Sequence, residues 1–249
     1  MAAAVLYMIV GALAASAPSP HARALALVGN MSLDEKLSML AGHDPRAAFG
    51  LAGYTGIVPG TPRLGIPPLH MNDGPQGFRA SGLGKGSSTC WPSGLTVAAT
   101  WDVATAASWG LAIGEEFRGK GANVALGPGL NVARVPWNGR TFEYLSGEDP
   151  ALGAALGAAA IRGIQSAGVI ANAKHFIFNN QEFDRGLIPL PHQGYSAVVD
   201  ERTKHEVYLP PFEAAVRAGV GSVMCVTTLS KRSAQTHAPS TLMRSDCRP

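Results

Sequence analysis

Lys174 and His175 follow an apolar run, Gly168-Val169-Ile170-Ala171, that reads as a buried parallel strand. Both side chains are therefore expected at the C-terminal end of a strand, which in a βα-barrel is where ligand sites are built. A Lys beside a His offers donors that could grip several hydroxyls of one polar ligand. Pro68-Leu69-His70-Met71-Asn72-Asp73-Gly74-Pro75 has the same form, an apolar strand that ends on a carboxylate and a Gly-Pro break. Arg140 and Glu143 stand three residues apart in Asn138-Gly139-Arg140-Thr141-Phe142-Glu143. A guanidinium suits hydroxyl recognition because its planar fork can grip two oxygens. Each residue also has a plainer reading. Lys174 could snorkel, His175 could be a structural histidine, Asp73 could cap its own turn, and Arg140–Glu143 could be a surface pair worth little.

The elements that must position these groups are legible from patterning. Ser32 with Glu35 three residues later forms a capping box, and Leu33, Leu37 and Leu40 recur at helical spacing behind it. A first strand ends at Asp73. Asp102 caps a helix to Gly119 with an Ala- and Gly-rich face. Residues 123–126 read as a second strand, and Asp149 caps a third helix over 150–167 with Pro150 in its first turn. Val169 to Asn172 is the third strand. A fourth helix is expected from Asp200 to Ala218 and a fourth strand over 221–225. Strand and helix alternate, so the fold class is α/β with a parallel sheet and right-handed crossovers. A closed (β/α)8 barrel needs eight strands, and about four βα units are expected here.

With 249 residues, 46% hydrophobic and 15% charged, the chain has the composition of a folded globular protein. A net charge of +3 without any basic stripe argues against nucleic acid as a partner. Gly82-Leu83-Gly84-Lys85-Gly86-Ser87 lacks phosphate-loop spacing, and the seven His lack the spacing of a metal site. Residues 1–17 read as a signal peptide, too short to span a bilayer comfortably and closed by small residues. With the sequon Asn30-Met31-Ser32 they lead to an expected secreted or lysosomal/vacuolar location. Three Cys do not settle the compartment.

Five motifs occur together in one order. They are the Asp73 segment, Thr89-Cys90-Trp91-Pro92 with Ala98-Ala99-Thr100-Trp101-Asp102, Leu126 to Arg134, Asn138 to Glu143, and Ala173 to Arg185. From about Leu33 to Cys225 the chain resembles the N-terminal barrel domain of family 3 glycoside hydrolases, the β-glucosidase family. The resemblance implies a partial TIM-type barrel and retaining, cofactor-free hydrolysis of terminal non-reducing β-D-glucosyl residues, with β-xylosides as the alternative substrate. It makes Asp73, Arg140, Lys174 and His175 the substrate-binding residues, with Arg134, Glu143 and Arg185 supporting them. Asn179-Asn180-Gln181-Glu182 after Lys-His resembles the β-glucosidase branch more than the N-acetylhexosaminidase branch.

Retaining hydrolysis needs a nucleophilic carboxylate and an acid/base carboxyl, and the family's Asp and Glu for these roles lie in regions without a counterpart here. Ser245-Asp246-Cys247 looks like the nucleophile triplet, but no convincing strand precedes Asp246, so it is not assigned the role. Residues 226–249 depart from the family and are expected to be unstructured. Val226-Thr227-Thr228-Leu229-Ser230 can be written in codons that give Tyr-Asn-Ala-Val in another frame, and Tyr-Asn is the family's continuation, so a frameshift near codon 226 is one expectation. The chain alone is expected to be inactive and, with open strand edges, poorly soluble. Two alternatives are a non-catalytic sugar-binding module and a structural partner of a full-length homologue.

Overall fold

The computed structural model describes residues 18–41, 53–80, 86–182, 196–225 and 229–231. The expectations for residues 1–17, for Arg185 and for Asp246 lie outside them. Two compact units are present. The smaller, within residues 1–42 and 58–68, contains helices α1 (Pro20–Asn30) and α2 (Leu33–Ala41). The capping box forms as read: Glu35 N–H donates to Ser32 Oγ and Ser32 N–H to Glu35 Oε2. Arg63 pairs with Glu35 at 2.7 Å. Leu33, Leu37 and Leu40, which repeat at helical spacing, are all exposed.

The larger unit is built on a five-stranded sheet in the order β1 (Gly56–Val58), β2 (Leu69–Asp73), β3 (Val124–Leu126), β4 (Ile170–Phe176) and β6 (Ser222–Cys225). The pairs β2–β3, β3–β4 and β4–β6 are parallel, with Asp73 opposite Leu126 and Val124 opposite Ile170. Strand order follows chain order, as in the first part of a βα-barrel. Helices α3 (Gly94–Ala98), α4 (Val103–Gly119), α5 (Pro150–Ser166), α6 (Glu201–Thr203) and α7 (Pro210–Arg217) complete the alternation.

Helix α4 starts where Asp102 accepts from the N–H groups of Ala104 and Thr105, both at 3.0 Å. Helix α5 starts where Asp149 accepts from Ala151 N–H at 2.7 Å. The two helices meet along a seam where glycines face the partner helix's backbone. A Cβ added at Gly110 would come within 2.3 Å of Ala160 O, and one at Gly163 within 2.3 Å of Ala107 O. Ala106, Ile113, Phe117, Leu156, Ile161 and Ile164 fill the core on either side of that seam and against the strands.

Four expectations change. A short strand, β1, was not read from the sequence, because Gly53, Gly56, Pro59 and Gly60 punctuate that stretch like a loop. Strand β4 runs past Asn172 to Phe176, so Lys174 and His175 lie inside it; pairing needs only backbone groups and continues after the apolar run stops. The helix read over 200–218 is broken. A π turn, Lys204–Tyr208, follows α6, and Leu209 N–H donates to Lys204 O. Pro210 and Pro211 have no N–H with which to continue the i→i−4 ladder. Within the segment expected to be unstructured, Leu229–Lys231 forms strand β7, parallel to β5 (Ser196–Val198). Among the described residues no helix is long and apolar enough to cross a membrane.

Candidate active site

Asp73 ends β2, and the chain then turns away sharply. Gly74 has φ +140°, and a Cβ there would overlap Gly77 O, so the turn that frees the Asp73 carboxylate demands glycine at this position. Lys174 reaches across β3 to donate to Asp73 Oδ1 at 2.9 Å. Lys174 is 2% exposed and the Asp73 side chain 32%, so the ammonium is buried while the carboxylate keeps one side open. Burial by itself would raise the Asp73 pKa, but the Lys174 charge and hydrogen bond, helped by Arg79, hold it below the usual carboxylate range. Asp73 is thus a permanent acceptor near neutral pH. A cavity of about 330 Å³ lies against it, lined by Gln76, Arg79 and Glu143 among others.

The second half of the site comes from the loop after β3. Residues 127–131 run beside β4: Leu130 N–H donates to Lys174 O at 2.7 Å, and Lys174 N–H to Pro128 O at 3.0 Å. Asn131 then clamps the His175 backbone. Its Oδ1 accepts from His175 N–H at 2.7 Å and its Nδ2 donates to His175 O at 3.1 Å. Arg140 precedes a 3-10 turn, Thr141–Glu143. Its Nε forms an ion pair with Glu143 Oε1, and its Nη1 lies 3.4 Å from Glu182 Oε1. Glu143 is buried, so this is not a surface pair. Burial opposes the Arg140 charge, but hydrogen bonding and attraction from Glu143 outweigh it and raise the pKa.

Arg140 Nη2 lies 3.1 Å from His175 Nε2. A guanidinium can only donate, so Nε2 is the acceptor and the ring proton resides on Nδ1. That nitrogen faces Tyr144 Oη at 3.2 Å, and Tyr144 in turn donates to Asn179 O at 2.8 Å. Burial, then the Glu143 charge, pushes the Tyr144 phenol well up, which keeps its proton in place. The result is a one-way relay, Arg140 to His175 to Tyr144 to Asn179, around a neutral imidazole.

Asp73 with Lys174, and Arg140 with His175 and Glu143, are therefore brought together at the C-terminal ends of neighbouring strands. Arg134 is not. Its side chain is exposed, and it makes no polar contact among the described residues, because the chain between Ala133 and Asn138 turns toward solvent. Asn131, Tyr144, Asn179 and Asn180 were missed as positioning residues. The clue available was that Asn131 and Asn180 interrupt apolar stretches, where buried amides must find partners; Asn180 donates to Val132 O at 2.7 Å. Among the described residues no cluster of three or more His, Cys, Asp or Glu could hold a metal ion.

Residues 55–244 match the model of the glycosyl hydrolase family 3 N-terminal domain, a match that continues beyond Cys225. The chain is 42% identical over 212 residues to beta-glucosidase 1 of Aspergillus aculeatus, spanning 82% of this chain and 24% of that protein. Among solved structures, DesR, a beta-glucosidase from Streptomyces venezuelae in complex with D-glucose, superposes with a TM-score of 0.70 at 38% identity, covering 85% of this chain and 25% of that one. Beta-glucosidase 3B from Thermotoga neapolitana in complex with alpha-D-glucose does so with a TM-score of 0.70 at 32% identity, covering 84% and 30%. The chain spans about a quarter of the length of the curated relatives it matches. A half-barrel sheet, acceptors and donors gathered at its strand ends, and a match over most of its length place the chain in glycosyl hydrolase family 3, within the N-terminal domain.

Proposed function

We propose that this chain provides the glucosyl-holding half of a β-glucosidase-type glycoside hydrolase, which releases terminal non-reducing β-D-glucosyl residues with retention. The observation that carries this reading is the buried Lys174 donor beside the open Asp73 acceptor, an arrangement that can pair with vicinal hydroxyls through both partners at once. Asp73 accepts from hydroxyls on the far side of the sugar ring. Lys174 and Arg140 donate to others, while His175 holds the Arg140 guanidinium in plane. Glu143 fixes Arg140 from the opposite side. Arg134, Arg185 and Asp246 carry no role in this geometry-based reading. The nucleophilic and acid/base carboxyls of a retaining reaction complete it, and secretion or vacuolar delivery is the setting in which a leader over residues 1–17 would act.

The test is calorimetric titration of the 249-residue chain with gluconolactone and glucose, repeated with Asp73→Asn, together with an assay for release of an aryl β-glucoside's aglycone. Saturable lactone binding that Asp73→Asn abolishes is expected. Binding without turnover identifies a sugar-binding module. Wild-type affinity in Asp73→Asn would remove the assignment.

A further inference from the structure

The cavity of about 330 Å³ against Asp73 is at the small end of the roughly 300–1,000 Å³ of ligand sites, so the placement of each wall matters. One wall is Asp73 itself with the turn that follows it. Another is Ser88, Thr89 and Cys90, which run into the Thr89-Cys90-Trp91-Pro92 motif. Residues 86–92 form neither helix nor strand, and 86–90 are exposed. Such a segment has no ladder of backbone bonds to hold it, and ordering it costs entropy that other ties must offset.

The last turn of helix α4 supplies those ties. Glu116 Oε1 accepts from Thr89 N–H and Glu116 Oε2 from the Trp91 indole N–H, both at 2.8 Å. One turn further on, Lys120 Nζ donates to Ser87 O and lies 5.4 Å from the centre of the Phe78 ring. The segment held in this way meets the turn after β2. Trp91 N–H donates to Gln76 O at 3.0 Å. A Cβ added at Gly77 would come within 2.5 Å of Thr89 O and 2.9 Å of the Trp91 ring. A line of contact thus runs from Glu116 through Trp91 to the turn that frees the Asp73 carboxylate.

The residue type fits the task. A carboxylate only accepts, so each of its oxygens can take an N–H, and bonds to a charged acceptor are stronger than neutral ones. An amide of the same shape has one acceptor and one donor, and would set N–H against N–H at one of the two contacts. We infer that Glu116 is a positioning residue for the Asp73 cavity. By gripping Thr89 and Trp91 it fixes the 87–91 wall and, through Gln76, the turn behind Asp73. Glu116 itself is not part of the lining. The inference rests on the glucosyl reading only for what the cavity takes in.

The test compares the 249-residue chain with Glu116→Gln, Trp91→Phe and the double variant Glu116→Gln/Trp91→Phe. Gluconolactone affinity is measured by calorimetry. Hydrogen exchange is followed by NMR at Thr89 N–H and at the Trp91 indole, whose resonance is the one that Trp91→Phe removes. Glu116→Gln is expected to weaken lactone binding roughly fivefold or more, and to speed exchange at both groups roughly tenfold. The amides of α5 should keep their wild-type rates. In the double variant the amide oxygen can take Thr89 N–H, and its NH2 no longer faces an indole donor, so most of the affinity should return. Unchanged exchange at Thr89 and Trp91 in Glu116→Gln overturns the inference. So does lactone affinity that stays at the wild-type value in that variant, or faster exchange spread evenly over α5, since Glu116 would then contribute to stability alone. If the wild type does not bind lactone, the glucosyl reading fails, and protection lost at Thr89 and Trp91 but not in α5 still upholds Glu116 as the group that fixes the wall.

Discussion

Replacing Asp73 by Asn removes the anion beside Lys174 and leaves an ammonium that is 2% exposed without its partner. Breaking a fully buried pair costs about 3–5 kcal/mol, because the remaining charge stays desolvated. Here one partner is about a third open to water, so water can replace part of the lost interaction, and a loss of about 2–3 kcal/mol is expected. For a chain of this size that lowers Tm by roughly 4–12 °C. The same logic makes the double variant Asp73→Asn/Lys174→Met more stable than the sum of the single changes, by about 1 kcal/mol or more, since no charge is then left inside. Urea and thermal unfolding of the wild type, both single variants and the double variant supply the cycle. Arg202→Ala is the control. Arg202 pairs with Glu206, but the side chains are 82% and 61% exposed, and its loss should change stability by no more than about 0.5 kcal/mol. Additivity within error across the cycle, or a shift for Asp73→Asn no larger than the control's, refutes the claim that a buried ion pair anchors the site.

The pH dependence of that pair follows from the direction of the Asp73 shift. Its folded pKa lies below the unfolded value of about 3.9, so the stability it contributes is complete above that value and lost as pH falls through the folded pKa. The difference between wild type and Asp73→Asn should stay constant from neutral pH to about 5 and shrink only below about 4; a decline beginning near pH 6 would contradict it. Tyr144→Phe takes an acceptor from His175 Nδ1 and a donor from Asn179 O, and should cost about 1–3 kcal/mol. Imidazole nitrogen shifts measured by NMR should show the Nδ1–H tautomer in the wild type, and an Nε2–H ring would break the relay. Gly110→Ala should destabilise by about 1–3 kcal/mol through overpacking against Ala160, although Ala is the better helix former by about 1 kcal/mol; a stabilised variant would show that the seam has slack.

Much of this site is legible in the sequence because its key groups stand where patterns break. Asp73 closes an apolar run before Gly-Pro and ends β2, and Lys174-His175 follows another apolar run, in the last part of β4. Asp102 and Asp149 announce helix starts as capping residues, and the Ala-Gly faces of α4 and α5 announce close packing. The directions of contact are not legible in the same way. Nothing in the chain before folding says that Lys174 faces Asp73 while its neighbour His175 faces Arg140. Strand alternation puts the two on opposite faces, but which face meets Asp73 and which meets Arg140 is decided by where β2 and the loop after β3 come to lie beside β4. Arg134 shows a related limit of sequence: motif membership locates a residue along the chain, whereas the turn between Ala133 and Asn138 leaves its side chain exposed. The break in the helix after Thr203 could have been anticipated from Pro210 and Pro211, whose missing N–H groups are explicit in the sequence.

Asp73 and Lys174 are 101 residues apart along the chain, with β3 and both long helices between them. Closing so distant a contact comes after the local helices and each strand pairing have formed, since chain entropy opposes long-range closure until nearer contacts support it. The pair is thus a late event in folding and a marker of its completion. A partly folded chain can hold native helices and still lack the Asp73–Lys174 pair, so that pair reads out finished assembly of β2, β3 and β4 rather than secondary structure content. During synthesis, Asp73 leaves the ribosome long before Lys174 does, and the recognition surface becomes available only when the second of the two has emerged and docked.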